Sequence, residues 1–287
     1  MNHAVIQTRL ADLPLGDIRY HERIGSTNDD AAQWALNGAP NLSLVIADEQ
    51  TAGKGRAGRQ WFTAPGAALA FSLILFPTLE DGDETSPDIL PRMTALGALA
   101  VCDALRNVYK LPAQIKWPND VILNRRKVAG ILAEAQWTGN NLAAVVLGIG
   151  INVAPASISE VRSHLDRPLP ASQTRFPPTC VDEALGHSVD RLDLLYSVLV
   201  EFLRRRQRMG WPDFMKSWES SLAFRGEWVQ VFAGQGSQDT GALTAFEEGR
   251  IVGLTRDGSL KLATRSGNVV TVQFGEMRLR PVDVSKS

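Results

Sequence analysis

The chain has 287 residues, of which 44% are hydrophobic, with 30 Lys and Arg set against 31 Asp and Glu. A chain of this length buries roughly 75% of its unfolded surface on folding, so a core can form without metal or disulfide support. The balanced charge excludes a global basic field of the kind nucleic-acid binding uses, and any anion site has to be local.

Cys102 and Cys180 form no CxxC pair, and His3, His21, His164 and His187 are scattered without ligand spacing. A protein-only metal site is therefore not expected, and a reduced, cytoplasmic setting fits better than a disulfide scaffold. Residues 1–20 lack the basic and apolar regions of a leader, and no apolar run reaches membrane-spanning length. The expectation is a soluble, unprocessed protein with no membrane association.

In chain order, residues 17–24 read as a strand. Ser26 opens a helix, with Asp29 three residues on as a capping-box variant, and Gly38 supplies its stop. Buried-type strands at 44–47 and 68–75 flank a glycine-rich basic segment. Residues 88–109 are an Ala- and Leu-rich helix that tolerates Pro91 in its first turn. Strands at 114–117, 121–123 and 128–136 follow, separated by turn signals at 118–120 and 124–126. A very apolar strand at 143–153 is interrupted by Gly148 and Gly150. Residues 154–178 hold five prolines and little periodicity, which predicts a long loop with the character of a lid. Helices return at 192–209 and 213–221. After Phe224 the texture becomes short strands (228–232, 241–246, 251–254, 260–263, 269–274) between Gly- and Asp-rich turns, as in a small barrel of the SH3 kind. The fold class is α+β: a mixed sheet with flanking helices over 1–222, then a small β domain over 223–287.

The segment from Gln50 to Gln60, QTAGKGRAGRQ, combines Gly53, Gly55 and Gly58 with Lys54, Arg56 and Arg59 and contains no acid. Glycines let backbone N–H groups approach an anion while the cations supply charge, although a plain surface loop has the same composition. The formal GxGxxG match is accidental, because Trp61 and a Pro65-Gly66 turn lead into a strand and no helix follows. A phosphate loop of the GK[ST] type fails too, since Gly55 and Arg56 follow Lys54. Downstream come KWPND (Lys116 to Asp120), KVAG (Lys127 to Gly130) and GIGIN (Gly148 to Asn152). Singly, each has a bland reading: a solvated lysine, a turn capped by Asp120, a bulge or a close backbone approach at Gly130.

Taken in order and spacing, Ser26-Thr27-Asn28, the basic loop with Trp61, KWPND, KVAGIL and GIGIN resemble the biotin–protein ligase family over about residues 18–219, and more weakly beyond. The resemblance implies a sheet of the class II aminoacyl-tRNA synthetase and biotin–lipoate ligase type, followed by an SH3-like domain. It implies an enzyme that makes biotinyl-5′-AMP from biotin and ATP-Mg²⁺, then passes biotin to a lysine of the biotin carboxyl carrier domain of a carboxylase. Ser26, Thr27 and Asn28 should face the biotin ring, with Gln50 at the same end. Lys54, Gly55 and Arg56 should fold over biotin and the adenylate, and Lys127 should reach the carboxylate and the α-phosphate. Lys127 and Arg56 are the catalytic candidates. Gly53, Trp61, Asp120, Gly130 and Asn152 are further candidates, with Asp120 near the metal or the lysine and Asn152 near the nucleotide. The loop departs from the commoner family form GRGRRGR at Lys54 and Ala57, where Arg's bidentate fork is lost.

Two alternatives stay open. A lipoate–protein ligase shares the fold and a comparable lysine, but its glycine-triplet segment is replaced here by GKGRAGRQW. A biotin-responsive DNA-binding repressor needs a winged helix, for which little chain precedes the first predicted strand. Its other cue, the arginine run at 204–208, closes an amphipathic helix and reads as a solvated helix end. From Ala223 onward eight Lys and Arg meet seven Asp and Glu, so the small domain is not basic either. No DNA partner is expected, and a homodimer is left open.

Overall fold

The computed structural model describes residues 1–76, 89–159, 177–210, 212–233, 245–275 and 277–282. Its elements are α1 (His3–Arg9), β1 (Ile18–Ile24), α2 (Thr27–Leu36), β2 (Leu44–Gln50), β3 (Ala68–Leu75), α3 (Ile89–Asn107), β4 (Ala113–Lys116), β5 (Asp120–Leu123), β6 (Arg126–Thr138) and β7 (Asn141–Asn152). After these come α4 (Val181–Leu185), α5 (Arg191–Arg206), α6 (Pro212–Ser220), β8 (Trp228–Ala233), β9 (Ala245–Leu254), β10 (Leu260–Ala263), β11 (Val269–Val272) and β12 (Met277–Pro281).

The first sheet has seven strands in the order β1-β2-β3-β7-β6-β5-β4. Only β1 and β2 are parallel; every other neighbour pair is antiparallel. Both faces are covered, and the two-residue period of each central strand sorts its side chains between them. Val145, Leu147, Ile149 and Ile151 of β7, with Leu69, Phe71, Leu73 and Leu75 of β3, join the main core with α3, α5 and α6. The alternate residues face the other way. There Val146 and Ile74 pack with Ala31 and Ala35 of α2 in a second, smaller core, and further along that face come Ala70, Ser72, Gly148 and Gly150.

α2 starts at its N-cap Ser26, whose Oγ accepts from the Asp29 N–H at 3.4 Å, and ends at Asn37 before Gly38 with φ +85°. The Ser26 half of the predicted capping box is thus realised, while the Asp29 carboxylate pairs with Lys54. Among the described residues no helix is long and apolar enough to cross a membrane.

Elements of the first sheet lie within a few residues of expectation, while five differences have physical causes. α1, α4 and β12 were not foreseen: the two helices have only seven and five residues, too short for a periodic apolar stripe, and β12 pairs with distant β8. The strands expected at 241–246 and 251–254 are joined, since β9 runs unbroken through Gly249, where a side chain would crowd Leu262 Cβ at 2.8 Å. The glycine there serves strand packing, not a turn. The arginine run is only partly solvated: Arg204 and Arg205 both reach the buried Asp103 of α3, so this end of α5 ties two helices together. Most of the lid predicted at 154–178 lies outside the described residues, as does 241–244.

β8 to β12 form a second, antiparallel sheet in the order β11-β10-β9-β8-β12. The chain leaves the first sheet at Leu222, which bridges Ile115 at the β4 edge. The two sheets share one continuous core that includes Leu260, Leu262 and Val272. Trp117 Nε1 donates to the Gly258 carbonyl at 3.0 Å, and its ring meets Phe274 edge-on at a centroid distance of 6.0 Å. Gly258 has φ +83°, and a Cβ there would stand 2.3 Å from the fully buried Trp218 ring. Gly258→Ala therefore combines left-handed strain with overpacking and should cost about 2–4 kcal/mol. A urea titration should show its midpoint lowered by that free energy divided by the slope, with the slope unchanged.

Candidate active site

Over the second face of the sheet, α2 and the basic loop enclose a cavity of about 110 Å³. Ten of the sequence candidates form its wall: Ser26, Thr27 and Asn28 from the first turn of α2, Gln50 from the end of β2, Lys54, Gly55, Arg56 and Trp61 from the loop, and Lys127 and Gly130 from β6. The floor is bare backbone. Gly130 pairs with Gly150, and Gly148 lies two residues along β7 on the same face. A Cβ on Gly150 would fall 2.4 Å from Trp61 Cε2, and one on Gly148 only 2.0 Å from Asn28 Oδ1. The indole and the amide thus lie directly on the strand backbone, where glycine alone fits.

The basic loop is a folded-back hairpin, with bridges Gln50↔Thr63 and Lys54↔Gln60. Gly55 N–H donates to Arg59 O at 2.7 Å, and Trp61 N–H to Gly53 O at 2.8 Å. Ala57 (φ +56°) and Gly58 (φ +66°) make its tip, so the departure at position 57 leaves an alanine in left-handed conformation. Lys54 pairs with Asp29 in the first turn of α2, and that bond raises its pKa above the ordinary lysine value. Arg56 donates to the Gly275 carbonyl, with its guanidinium 4.9 Å from the Phe274 ring centre, so the loop is fastened to the second sheet.

At the other end, β5 and β6 slip register: Val121 pairs with Ala129 and Ile122 with Lys127, leaving Val128 as a bulge. Of the two readings left open for Gly130, the bulge lies two residues earlier, and Gly130 is a place of close approach, with Trp61 Cζ3 only 3.1 Å from where its Cβ would be. The bulge puts Lys127 on the same face as Gly130, with Nζ 3.3 Å from where a Gly130 Cβ would be and 5.5 Å from the Trp61 ring centre. Lys127 Nζ pairs with Asp120 Oδ1 at 2.6 Å, and Lys116 Nζ with Asp120 Oδ2 at 3.2 Å. Burial alone raises the Asp120 pKa, but the charges of Lys127 and Lys116 outweigh it and hold the carboxyl well below the usual range. Burial lowers the Lys116 pKa, and Asp120 offsets only part of that.

Three candidates lie off the wall. Asp120 stands behind Lys127. Gly53 supports the hairpin, where a Cβ would strike Trp61 O at 2.4 Å. Asn152 is not among the wall residues, and its Nδ2 donates to the Thr179 carbonyl at 3.1 Å. Sequence reasoning missed Ser72, Thr63 and Glu134, which bond to the cavity's polar side chains from behind. Ser72 had a signal, being the lone polar residue of a strand otherwise apolar throughout.

The Biotin/lipoate A/B protein ligase family model matches residues 20–152. The bifunctional ligase/repressor BirA of Bacillus subtilis is 32% identical over 246 residues, which cover 85% of this chain and 71% of the relative. The biotin–[acetyl-CoA-carboxylase] ligase of Paracoccus denitrificans is 33% identical over 77% of this chain and 90% of its own length. The chain belongs to the biotin/lipoate A/B protein ligase family. Among solved structures, the biotin protein ligase of Aquifex aeolicus in complex with biotin and ATP superposes with a TM-score of 0.71 at 26% identity, covering 93% of this chain and 99% of that one. Within the family this chain thus resembles biotin ligases along nearly its whole length.

Asp120 lends itself to a test. Its depressed pKa means that its stabilisation is present above the unfolded carboxyl value of ~3.9 and is lost as pH falls through that value towards the folded one. Asp120→Ala should cost about 2–3 kcal/mol at pH 7, less than a fully buried pair because Lys127 is partly exposed. Urea denaturation should show the gap to wild type narrowing steadily below about pH 4.

Proposed function

We propose that this cavity is where biotin meets ATP, and that the protein is an ATP-dependent biotin–[acetyl-CoA-carboxylase] ligase. The observation that carries the reading is the shared wall of Lys127, Arg56 and the polar first turn of α2, in a chain of this family. Biotin's carboxylate attacks the α-phosphorus of ATP; the bond to pyrophosphate breaks and biotinyl-5′-AMP forms. An acceptor lysine amine then attacks the acyl carbon, expels AMP and gives up its proton. Neither step needs a protein nucleophile, so positioning and charge neutralisation are what the enzyme supplies.

In this reading Thr27, Asn28 and Gln50 hold the ring of biotin, with Ser26 shaping the turn. Lys127 sits between carboxylate and phosphate, aimed by Asp120 from behind. Lys54, Gly55 and Arg56 cover the adenylate, and Gly130 and Trp61 bound the space. Mg²⁺ enters as the ATP chelate: among the described residues no group of three His, Cys, Asp or Glu could hold a metal, and both Asp120 oxygens face lysines. A magnesium ion held chiefly by phosphate oxygens fits that donor set.

The acceptor is the carrier domain of a carboxylase, and the setting is the cytoplasm. We place the domain boundary between 222 and 223 and assign the second sheet to an SH3-like domain. No DNA-binding role is assigned, since the arginine run is partly committed to Asp103, and a homodimer is compatible with the free edge at β1. A lipoate substrate fits less well, because a dithiolane has no hydrogen-bonding groups for the polar turn to meet.

The direct test is incubation with biotin, ATP-Mg²⁺ and a carrier domain, followed by intact-mass measurement. One added biotinyl group per carrier is expected, and an unmodified carrier would overturn the reading. Lys127→Ala should slow adenylate formation at least about a hundredfold, near 3 kcal/mol. Arg56→Gly should release biotinyl-AMP, read as biotin on bystander proteins; retention of the adenylate would remove Arg56 from the cover.

A further inference from the structure

The wall residues Thr27, Asn28 and Gln50 are tied into a chain of hydrogen bonds that reaches beyond the wall to Thr63, Ser72 and Glu134. Gln50 Oε1 accepts both the Thr27 N–H, at 2.8 Å, and the Thr27 hydroxyl, at 3.0 Å, while Gln50 Nε2 donates to Thr63 Oγ1 at 3.2 Å. Ser72 Oγ is 2.8 Å from Thr27 Oγ1 and 2.6 Å from Asn28 Oδ1. Asn28 Nδ2 donates to Glu134 Oε2 at 2.6 Å. Ser72 is fully buried, and Thr27 and Asn28 nearly so.

The donor and acceptor capacities of these groups constrain the protons: Ser72 donates with a single hydroxyl proton, shared between Asn28 Oδ1, which can only accept, and the Thr27 oxygen. A threonine hydroxyl has one proton, and Thr27 gives it to Gln50; towards the cavity its oxygen can only accept. An ionised carboxylate only accepts, so Glu134 holds the Asn28 amide with Nδ2 outward and Oδ1 against Ser72. Turned over, Asn28 would set Oδ1 against the Glu134 oxygen, two acceptors in contact. Held as it is, Asn28 has a second N–H beyond the one Glu134 uses. The first turn of α2 therefore offers an acceptor and a donor on neighbouring residues. A cyclic urea carries the matching pair along one edge, an N–H beside a C=O.

We propose that Glu134 and Ser72 are positioning residues that set this donor–acceptor order and so make the cavity selective for a ureido ring. Neither need touch the ligand. Glu134 fixes the face of the Asn28 amide, and Ser72 ties that amide to Thr27 across the bare backbone of Gly148, where a side chain would displace Asn28. The inference rests on the biotin-ligase reading and adds the residues that determine its specificity.

The test measures adenylate formation by the full chain with biotin, with desthiobiotin, which keeps the urea but lacks the thioether ring, and with lipoate. Glu134→Ala and Ser72→Ala should each raise KM for biotin and desthiobiotin roughly tenfold or more, as loss of a charge-assisted or buried hydrogen bond does. KM for ATP and kcat should stay within about twofold, and the preference for biotin over lipoate should fall by the same factor as biotin binding. Glu134→Gln keeps an oxygen that accepts from Asn28 and should restore most of the loss. A role of Glu134 through its charge alone, for instance on neighbouring Lys54, predicts that Gln is as poor as Ala and overturns the proposal. So does a KM for biotin within twofold of wild type in both alanine variants, or a fall in kcat with KM unchanged. Should Ser72→Ala fail to fold, the partly exposed Glu134 pair decides the matter. Wild-type protein that does not adenylate biotin would instead remove the ligase reading itself, a separate outcome from failure of the variants.

Discussion

Gly130, Gly148 and Gly150 lie together on one face of β6 and β7, and their missing side chains let the walls of the cavity close down onto bare backbone. On the opposite face the same strands carry Ile131, Leu147, Ile149 and Ile151, packed against α3. One period-two pattern thus anchors the sheet on one side and leaves it bare on the other. The bareness is used at once: Trp61 and Asn28 rest on backbone, and each brings its own segment, the basic hairpin and α2, into the same small volume.

Two kinds of polarity divide that volume. On the α2 side, Gln50, Thr27 and Asn28 present neutral, mutually bonded groups, while the nearby Lys54 charge is paired with Asp29. Near β6 and the hairpin the groups are cationic, with Lys127 backed by the Asp120 carboxylate and Arg56 held from the second sheet. A ligand with a neutral hydrogen-bonding head and an anionic tail matches this division. Burying a lysine pair around one carboxylate is costly unless every charge has a partner, and the 2.6 Å and 3.2 Å contacts at Asp120 provide that.

Much of this could be read before any coordinates. The first sheet's strands, α2 with its Ser26 cap and the long α3 all have strong local signals, because period and capping are written in adjacent residues. The ten wall residues were legible as motifs in family order. What escaped was set by pairing at a distance. No local pattern distinguishes one β9 from two strands broken at Gly249, and β12 exists only because β8 accepts it. Asn152, expected near the nucleotide from the family resemblance, donates to the Thr179 carbonyl, a pairing 27 residues away that GIGIN itself does not disclose. Glu134 reads as an ordinary alternating polar residue on a strand, and nothing within β6 itself discloses that Asn28 lies opposite.

Arg56 belongs to the hairpin in sequence but to the second sheet in attachment, through the Gly275 carbonyl and the Phe274 ring. The chain therefore cannot be cut at its apparent seam without a cost. A fragment ending before Trp228 keeps every wall residue of the cavity, yet it lacks the mooring that sets the hairpin's positive end. Trp117 loses its carbonyl partner at Gly258 in the same cut, so the truncation unseats the KWPND turn and the arginine together.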